Sequence, residues 1–215
     1  RRQRQMCIRD RGEGGIRPAS LNFLNELKNV CNRYKALLFL DEVQCGFGRS
    51  GKLFSYEWSN IEPDIMAIAK GMGSGFPIGA CLVTEKVSKG MKFGSHGSTF
   101  GGNPLVCKVA LSVLDVFEED AILDNVNEMS DYIHHLLKKN LESCPVVTQI
   151  RVKGLMIGIG LNESTIDCTQ LPQKALEDAL LINIAGNSIR MLPPLIITKK
   201  ELDIFIKKII ILICA

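Results

Sequence analysis

Two short apolar runs, each followed by a residue capable of chemistry, constrain the fold of this sequence most strongly. The first run, residues 36–40 (ALLFL), ends at Asp41, and the second, residues 65–69 (IMAIA), ends at Lys70. Continuous apolar runs of this length are typical of strands buried on both faces of a parallel sheet. Active sites of open α/β sheets usually lie beyond the carboxyl ends of such strands. The sequence therefore predicts an α/β fold in which Asp41 and Lys70 stand at strand ends.

The remaining periodicity predicts a mixed succession of helices and strands. Ser20 and Asn103 are good N-caps for helices. Elements are predicted at residues 20–34 (helix), 78–83 (strand), 104–118 and 120–141 (helices), 146–152 and 155–161 (strands), and near 170–183 and 198–213 (helices). This pattern predicts one domain at 12–115 and a smaller α+β domain at 116–215, with the boundary within the helices at 105–141.

The first eleven residues, RRQRQMCIRDR, differ in character from the rest. They are basic and without periodicity, and we interpret them as a non-native junction segment outside the fold. The alternative is a solvated basic arm that binds nucleic acid. The segment holds five Arg and one Asp, so removing it changes the balance from 26 basic and 23 acidic residues (+3) to 21 and 22 (−1). The net charge therefore gives no reason to expect a nucleic-acid partner.

Composition and cysteine spacing exclude several classes of protein. The chain is 46% hydrophobic and 23% charged, as in ordinary globular proteins. It contains no run approaching the roughly 18 apolar residues of a membrane span. The eight cysteines form no C-x-x-C pair, so no metal site is predicted. We expect reduced thiols and a cytoplasmic location.

Taken separately, Asp41 and Lys70 are weak evidence for an active site. A lysine at the end of a strand often just starts a surface loop, and a carboxylate there often caps the next turn. Together they match the needs of a pyridoxal 5′-phosphate (PLP) enzyme, which uses a lysine for the Schiff base and an acid facing the pyridine nitrogen. A desolvated lysine also loses its proton more readily, which suits a nucleophile and a base.

Three longer segments extend this pairing into a family resemblance. They are LFLDEVQCGFGRSGKLF, EPDIMAIAKGMGSGFPIGA and GSHGSTFGGNP. With Asp41 and Lys70 separated by 29 residues, they closely resemble the class III (fold type I) aminotransferases, and among these the acetylornithine aminotransferase branch. The resemblance covers about residues 12 to 213. It implies the C-terminal portion of the PLP-dependent transferase fold, with part of the large, mostly parallel-sheet domain and the small α+β domain.

The resemblance implies a role for each residue of the cofactor site. Asp41 would pair with the pyridinium nitrogen, Val43 would pack on one face of the ring, and Gln44 would hydrogen-bond the ring hydroxyl. Lys70 would hold PLP as a Schiff base and shuttle the substrate proton. Thr99 would reach the cofactor phosphate of the neighbouring subunit, which implies a homodimer. Taken alone, Thr99 would be a turn residue beside two glycines.

Two further residues concern the substrate. Arg190, in SIRMLPPL, matches the family arginine that grips the carboxylate of glutamate and 2-oxoglutarate, and a planar guanidinium suits that task. Glu13, in GEGG, matches the glutamate that pairs with this arginine while the amino donor is bound. Taken alone, Arg190 would be a structural ion-pair partner and Glu13 a solvated loop carboxylate.

The implied reaction is transfer of the ω-amino group of N-acetylornithine to 2-oxoglutarate, a step of arginine biosynthesis. Succinylornithine or other class III ω-aminotransferases stay open as alternatives, as do aminomutases and a non-catalytic fragment or pseudoenzyme. Family members are close to twice as long. Their N-terminal half supplies the phosphate-binding loop and the aromatic residue stacked on the ring, and neither has a candidate here. We therefore expect this polypeptide alone to be poorly active or inactive.

Overall fold

The computed structural model describes the backbone of residues 5–7 and all of residues 14–214. The described chain divides into two compact units. Unit 1 contains residues 5–7, 19–48 and 52–121, and unit 2 contains residues 14–18, 49–51 and 122–214. Each unit has its own four-stranded sheet.

The sheet of unit 1 has the order β1-β2-β3-β4. Strands β1, β2 and β3 run parallel, and β4 is antiparallel to β3. The strands are β1 (Gln5–Cys7), β2 (Leu38–Asp41), β3 (Ile65–Ile68) and β4 (Ala80–Val83). The helices are α1 (Leu21–Arg33), α2 (Glu85–Ser88) and α3 (Pro104–Glu119), with short 3-10 helices at Ser55–Ser59 and Lys70–Gly73. The predicted α/β class is thus confirmed.

One face of this sheet is well covered and the other is not. Leu38 and Leu40 pack with Leu24 of α1, and Met66 and Ile68 pack with residues of α3. The alternate residues, which include Phe39, Ile65 and Val83, line an open groove of about 910 Å³ on the opposite face. The expectation of strands buried on both faces therefore holds for only one face within the described residues, because no described helix longer than the short α2 lies on the second.

Local capping explains where two of the helices begin. The Ser20 hydroxyl accepts the N–H of Phe23 at 3.2 Å at the start of α1. The Asn103 side chain accepts the N–H of Val106 at 3.2 Å at the start of α3, and Pro104 occupies the first turn. Both caps are as predicted, because a side-chain oxygen at this position satisfies an N–H that the helix itself cannot pair.

Unit 2 is built on an antiparallel sheet of order β5-β6-β8-β7. Its strands are β5 (Val147–Lys153), β6 (Met156–Leu161), β7 (Asn183–Ala185) and β8 (Ser188–Met191). Its helices are α4 (Ile122–Leu141), α5 (Leu171–Glu177) and α6 (Lys199–Cys214), with a 3-10 helix at Cys168–Gln170. Both long helices bury one apolar stripe, and every residue of β6 is buried. The sequence patterns predicted α4, β5, β6 and α6. The helix predicted near 170–183 is wrong beyond Glu177, where α5 ends, and β7 and β8 were not predicted because these short strands mix polar with apolar residues.

The N-terminal segment enters the fold at one point. Residues Gln5–Cys7 form β1 and pair in parallel with Leu38–Leu40 of β2. The interpretation of the first eleven residues as lying wholly outside the fold is therefore wrong for these three. The exposed edge of β2 offers unpaired N–H and C=O groups, and an adjacent segment can pair with them whatever its side chains. The non-native origin of the segment stays a prediction.

Cys144 and Cys214 form a disulfide, with their Cα atoms 6.2 Å apart. The expectation of reduced thiols throughout is wrong for this pair. Helices α4 and α6 pack together, which brings the turn before β5 to the C-terminal end of α6. Tertiary packing thus places the two cysteines within bridging distance, a proximity that their separation in sequence does not reveal. In the described part of the chain, no helix is both long and apolar enough to cross a bilayer.

The disulfide should contribute measurably to stability. It closes a loop spanning 70 residues, and constraining such a loop in the unfolded chain contributes about 4 kcal/mol in the loop-entropy description. We expect Cys144→Ser to lower the free energy of unfolding by about 2–4 kcal/mol in urea titrations under non-reducing conditions. Cys107→Ser, at an exposed free thiol, is the matched control and should change little. Recovery of Cys144 and Cys214 on separate peptides from a non-reduced digest would contradict the bond.

Candidate active site

The parallel pairing of β2 with β3 places the two predicted strand-end residues along one edge of the sheet. Asp41 lies opposite Ala67 in this register, and Lys70 follows Ala67 by three residues. Asp41 is half-buried, and its Oδ1 accepts the backbone N–H of Val43 at 3.0 Å. That bond fixes the carboxylate at the end of β2, on the same face as the open groove residues Phe39 and Ile65.

Lys70 has a strained backbone. Its φ is +45°, in the left-handed region that residues other than Gly and Asn rarely adopt. It is also the first residue of a 3-10 helix, preceded by the extended Ala69, and its side chain is exposed. Strained backbone of this kind concentrates at functional sites, where the surrounding structure holds it in place. The conformation turns Lys70 sharply away from the line of β3.

The turn after β2 lies against the residue that follows Lys70. Val43 and Gln44 of this turn are half-buried. A Cβ atom added to Gly71 would lie 2.8 Å from the Cβ of Phe47, so a side chain at residue 71 would force this contact apart. The sequence-predicted residues Asp41, Val43, Gln44 and Lys70 thus belong to two adjoining segments of unit 1.

Thr99 lies in unit 1, within a stretch where every residue from 91 to 102 is exposed. Ser98 shapes this loop by accepting the N–H of Gly101 at 2.9 Å. Phe93 and Phe100 are also exposed there, at 110% and 80% of their reference areas. Among the described contacts, no hydrogen bond joins Thr99 to the other predicted cofactor residues. Its predicted role stays a prediction.

Arg190 lies in unit 2, on β8, and is half-buried. It pairs in register with Gly158 of β6 and Asn183 of β7. It also lines a largely apolar cavity of about 450 Å³ that includes Ile182 and Phe205. Glu13, its predicted partner, lies outside the described residues. The described residue Gly15 does approach this strand pair, because a Cβ added to Gly158 would lie 2.7 Å from the Gly15 carbonyl oxygen.

Arg151 holds Gly15 in this position, and the sequence patterns did not identify it as a functional residue. Its guanidinium is buried and donates to the Gly15 carbonyl at 2.9 Å, to the Ser188 hydroxyl at 2.6 Å and to the Gln149 side chain at 2.6 Å. Burial lowers the pKa of Arg151, and the charge of Arg17 lowers it further. The alternation of β5 places Arg151 on the face opposite Ile150 and Val152, so the sequence pattern gave no signal of its burial.

Arg49 performs a similar task elsewhere in unit 2. It donates to the carbonyl oxygens of Pro193 and Leu155, and so ties the segment after β8 to the β5–β6 turn. Burial lowers its pKa to about 10, which still leaves it charged at neutral pH. Within the described residues, no group of His, Cys, Asp or Glu is arranged to hold a metal ion.

Comparison with known proteins identifies the family. The family model for class-III aminotransferases matches residues 10–213. The chain is 41% identical over 203 residues to acetylornithine aminotransferase 1 of Bordetella pertussis, covering 94% of this chain and 51% of that protein. It is 47% identical over 193 residues to acetylornithine aminotransferase of Mesorhizobium japonicum, covering 89% and 48%. The chain belongs to the class-III aminotransferase family.

Solved structures of this aminotransferase family have the same fold. The acetylornithine aminotransferase of Elizabethkingia anophelis matches with a TM-score of 0.89 and 32% identity, over 97% of this chain and 53% of that one. The ornithine aminotransferase of Plasmodium yoelii matches with a TM-score of 0.91 and 31% identity, over 97% and 56%. The family membership and transferase fold predicted from the three motifs are confirmed. This aminotransferase chain spans about half the length of the relatives it matches.

The strain at Lys70 predicts that this aminotransferase chain is more stable without its lysine. We expect Lys70→Asn to raise the free energy of unfolding by roughly 0.5–1 kcal/mol, because Asn tolerates the left-handed conformation better than Lys. Urea titration of the chain measures this change. Lys35→Asn is the matched control, since Lys35 has a φ of +53° just beyond α1 and should show a similar gain. A destabilised Lys70→Asn beside a stabilised Lys35→Asn would contradict the interpretation.

Proposed function

We propose that the protein to which this chain belongs is a PLP-dependent transaminase that transfers the ω-amino group of N-acetylornithine to 2-oxoglutarate. The observation that carries the proposal is the placement of Asp41 and a strained Lys70 along the carboxyl edge of the parallel pair β2 and β3. The relatives named acetylornithine aminotransferase, at 41% and 47% identity, support this choice of amino donor. The reaction would belong to arginine biosynthesis in the cytoplasm.

The residues of unit 1 fit the cofactor. Asp41 is a half-buried carboxylate held by the Val43 N–H, in a position suited to pairing with a protonated ring nitrogen. Val43 offers an apolar face to the ring, and Gln44 offers a hydrogen-bond donor to the ring hydroxyl. Lys70 would supply the amine that holds the cofactor covalently. When bound, PLP supplies the electron sink that stabilises a substrate carbanion.

Lys70 would also move the substrate proton. Its amine would be the base that takes the proton from the reacting carbon of the substrate and the acid that later returns it. An amine that serves this purpose must be held within hydrogen-bond reach of the atoms that lose and gain the proton. The left-handed backbone at Lys70 sets the direction in which the side chain leaves the end of β3.

Arg190 would bind the carboxylate of glutamate and 2-oxoglutarate. Its guanidinium can donate two parallel hydrogen bonds to a carboxylate, and its place on a paired strand limits its freedom. Glu13 would mask this arginine while the basic donor is bound. The support for this role is that Gly15, two residues further along the chain, lies against Gly158 and accepts a hydrogen bond from Arg151.

Thr99 would contribute a hydroxyl to the cofactor phosphate of a neighbouring subunit in a homodimer. The support is the composition of its loop, in which Phe93 and Phe100 are exposed beside it. Exposed aromatic side chains are enriched at protein–protein interfaces. Small-molecule substrates and a second copy of the chain are the partners that we propose.

We propose further that the 215-residue chain is poorly active by itself. It spans about half the length of its relatives, and the sheet face that carries Asp41 is open. Phosphate-binding and ring-stacking groups would come from additional polypeptide. This half-length favours the alternative of a non-catalytic fragment for the chain alone, while succinylornithine and other ω-amino donors are the alternatives for the longer protein.

The cofactor assignment predicts a specific covalent adduct. In the full-length protein incubated with PLP, borohydride reduction should attach one pyridoxyl group to the peptide that contains Lys70, because reduction makes the Schiff base permanent. Mass spectrometry of the digest measures this, with Lys70→Ala as the unlabelled control. The 215-residue chain alone should label weakly and turn over slowly. A full-length protein without the adduct would falsify the proposed function, and robust turnover by the chain alone would contradict its inactivity.

The substrate assignment predicts a selective defect. We expect Arg190→Gln in the full-length protein to raise the KM for 2-oxoglutarate at least about tenfold, because a charged hydrogen-bond pair to the carboxylate is lost. The half-reaction with the amino donor should change less, and single-turnover absorbance of each half-reaction measures this difference. Arg33→Gln, at the exposed end of α1, is the control. Equal losses in both half-reactions would exclude a carboxylate-specific role for Arg190.

A further inference from the structure

Glu42 is a buried carboxylate directly after Asp41, and neither the motifs nor the proposed mechanism gives it a task. It is 1% exposed. A buried carboxylate is costly unless hydrogen bonds replace its hydration. Glu42 must therefore be held by specific partners, and those partners show what it does.

The Glu42 carboxylate binds a second segment of the chain. Its Oε1 accepts the backbone N–H of Tyr56 at 2.8 Å, and its Oε2 accepts the backbone N–H of Ser55 at 2.9 Å. The Cys45 thiol also donates to Oε2 at 3.1 Å. Ser55 and Tyr56 begin the 3-10 helix at Ser55–Ser59, so the two oxygens join the end of β2 to the start of that helix.

The Glu42 backbone holds the turn that carries Val43 and Gln44. Its N–H donates to the Ala67 carbonyl at 2.9 Å, which extends the β2–β3 pairing by one bond. Its carbonyl accepts the N–H of Gly46 at 2.9 Å. A Cβ at residue 46 would lie 2.8 Å from that carbonyl oxygen, so glycine is required for this tight closure. Side chain and backbone of Glu42 together fix both ends of the turn.

The same turn reaches the residue that follows Lys70. The Cβ of Phe47, the last residue of the turn, lies 2.8 Å from the position that a Cβ on Gly71 would take. Phe47 is buried and packs edge-on against Phe54, with ring centroids 5.9 Å apart. Phe54 immediately precedes the segment that Glu42 binds. A displacement of the Glu42 carboxylate would therefore reach Phe47 by two routes, along the turn and through Phe54.

We propose that Glu42 is a positioning residue that sets the geometry of Asp41, Gln44 and Lys70 toward the cofactor. The inference rests on the proposed function. Glu42 acts through the 42–47 turn and touches no reacting atom. Its carboxylate has two oxygens for two backbone N–H groups, which neither an amide nor a shorter acid can match.

The test uses the full-length protein loaded with PLP and a pair of matched carboxylate variants. Glu42→Gln leaves one acceptor oxygen and places an NH2 group against a backbone N–H. Glu57→Gln is the control, because Glu57 also accepts a loop N–H, that of Phe54 at 2.7 Å, but only within its own 3-10 turn. Glu42→Asp keeps the charge and is too short to bridge both N–H groups, and it is the second variant should Glu42→Gln fail to fold.

Two readouts separate positioning from a merely structural role. We expect the Glu42 variants to weaken PLP binding about tenfold or more, since charged hydrogen bonds to backbone groups are lost. We also expect a shift in the pH midpoint of the visible absorbance of bound PLP, which reports the surroundings of Lys70 and Asp41. Both are measured on protein shown by circular dichroism to be folded, and Glu57→Gln should match the wild type in both.

The outcomes are distinguishable. A folded Glu42 variant with wild-type PLP affinity and pH midpoint would overturn the inference, and so would an equal change in Glu57→Gln. A loss of melting temperature in Glu42→Gln without either change would leave Glu42 as a structural residue only, which also overturns it. A wild-type protein that binds no PLP on Lys70 would overturn the proposed function itself.

Discussion

The parallel hydrogen bonding between β2 and β3 is the interaction on which the candidate site depends. Its register sets Asp41 opposite Ala67, and the added bond from the Glu42 N–H to the Ala67 carbonyl carries the pairing past the end of β2. Side chains alternate along a strand, so a slip of one residue would turn Asp41 to the helix-covered face. The buried pair Leu40–Met66 and the packing of Leu38 on α1 resist that slip.

The turn after β2 joins buried packing contacts to the candidate cofactor-binding residues. A buried glutamate, a close glycine contact and a left-handed lysine lie within two adjoining segments of unit 1. None of these features is favourable by itself. They are maintained together because the Glu42 carboxylate is fully engaged and because Phe47 is packed among aromatic rings. Local strain supported by a well-satisfied surrounding shell is the arrangement expected of a binding site for a reactive group.

Sequence patterns predicted much of the architecture for local reasons. Ser20 and Asn103 mark helix starts because their side chains bond to N–H groups three residues away. The amphipathic period of α4 and the short alternating pattern of β6 are likewise visible in single segments. The patterns did not reveal β1, β7 or β8. These strands are short and, unlike the equally short β2 and β3, do not form continuous apolar runs, so they become evident only from their pairing with a neighbouring strand.

By itself the sequence determined the family and suggested the candidate residues, since Asp41, Gln44, Lys70, Thr99 and Arg190 occur in segments that resemble motifs of the class III aminotransferases. Tertiary structure decided the backbone conformation of these residues and the groups that surround them. The left-handed backbone of Lys70, the clamp made by Glu42, the three partners of Arg151 and the Cys144–Cys214 disulfide all join segments that are distant along the chain or require packed neighbours. Such contacts depend on how elements pack together, and a linear pattern of residue types does not encode that proximity.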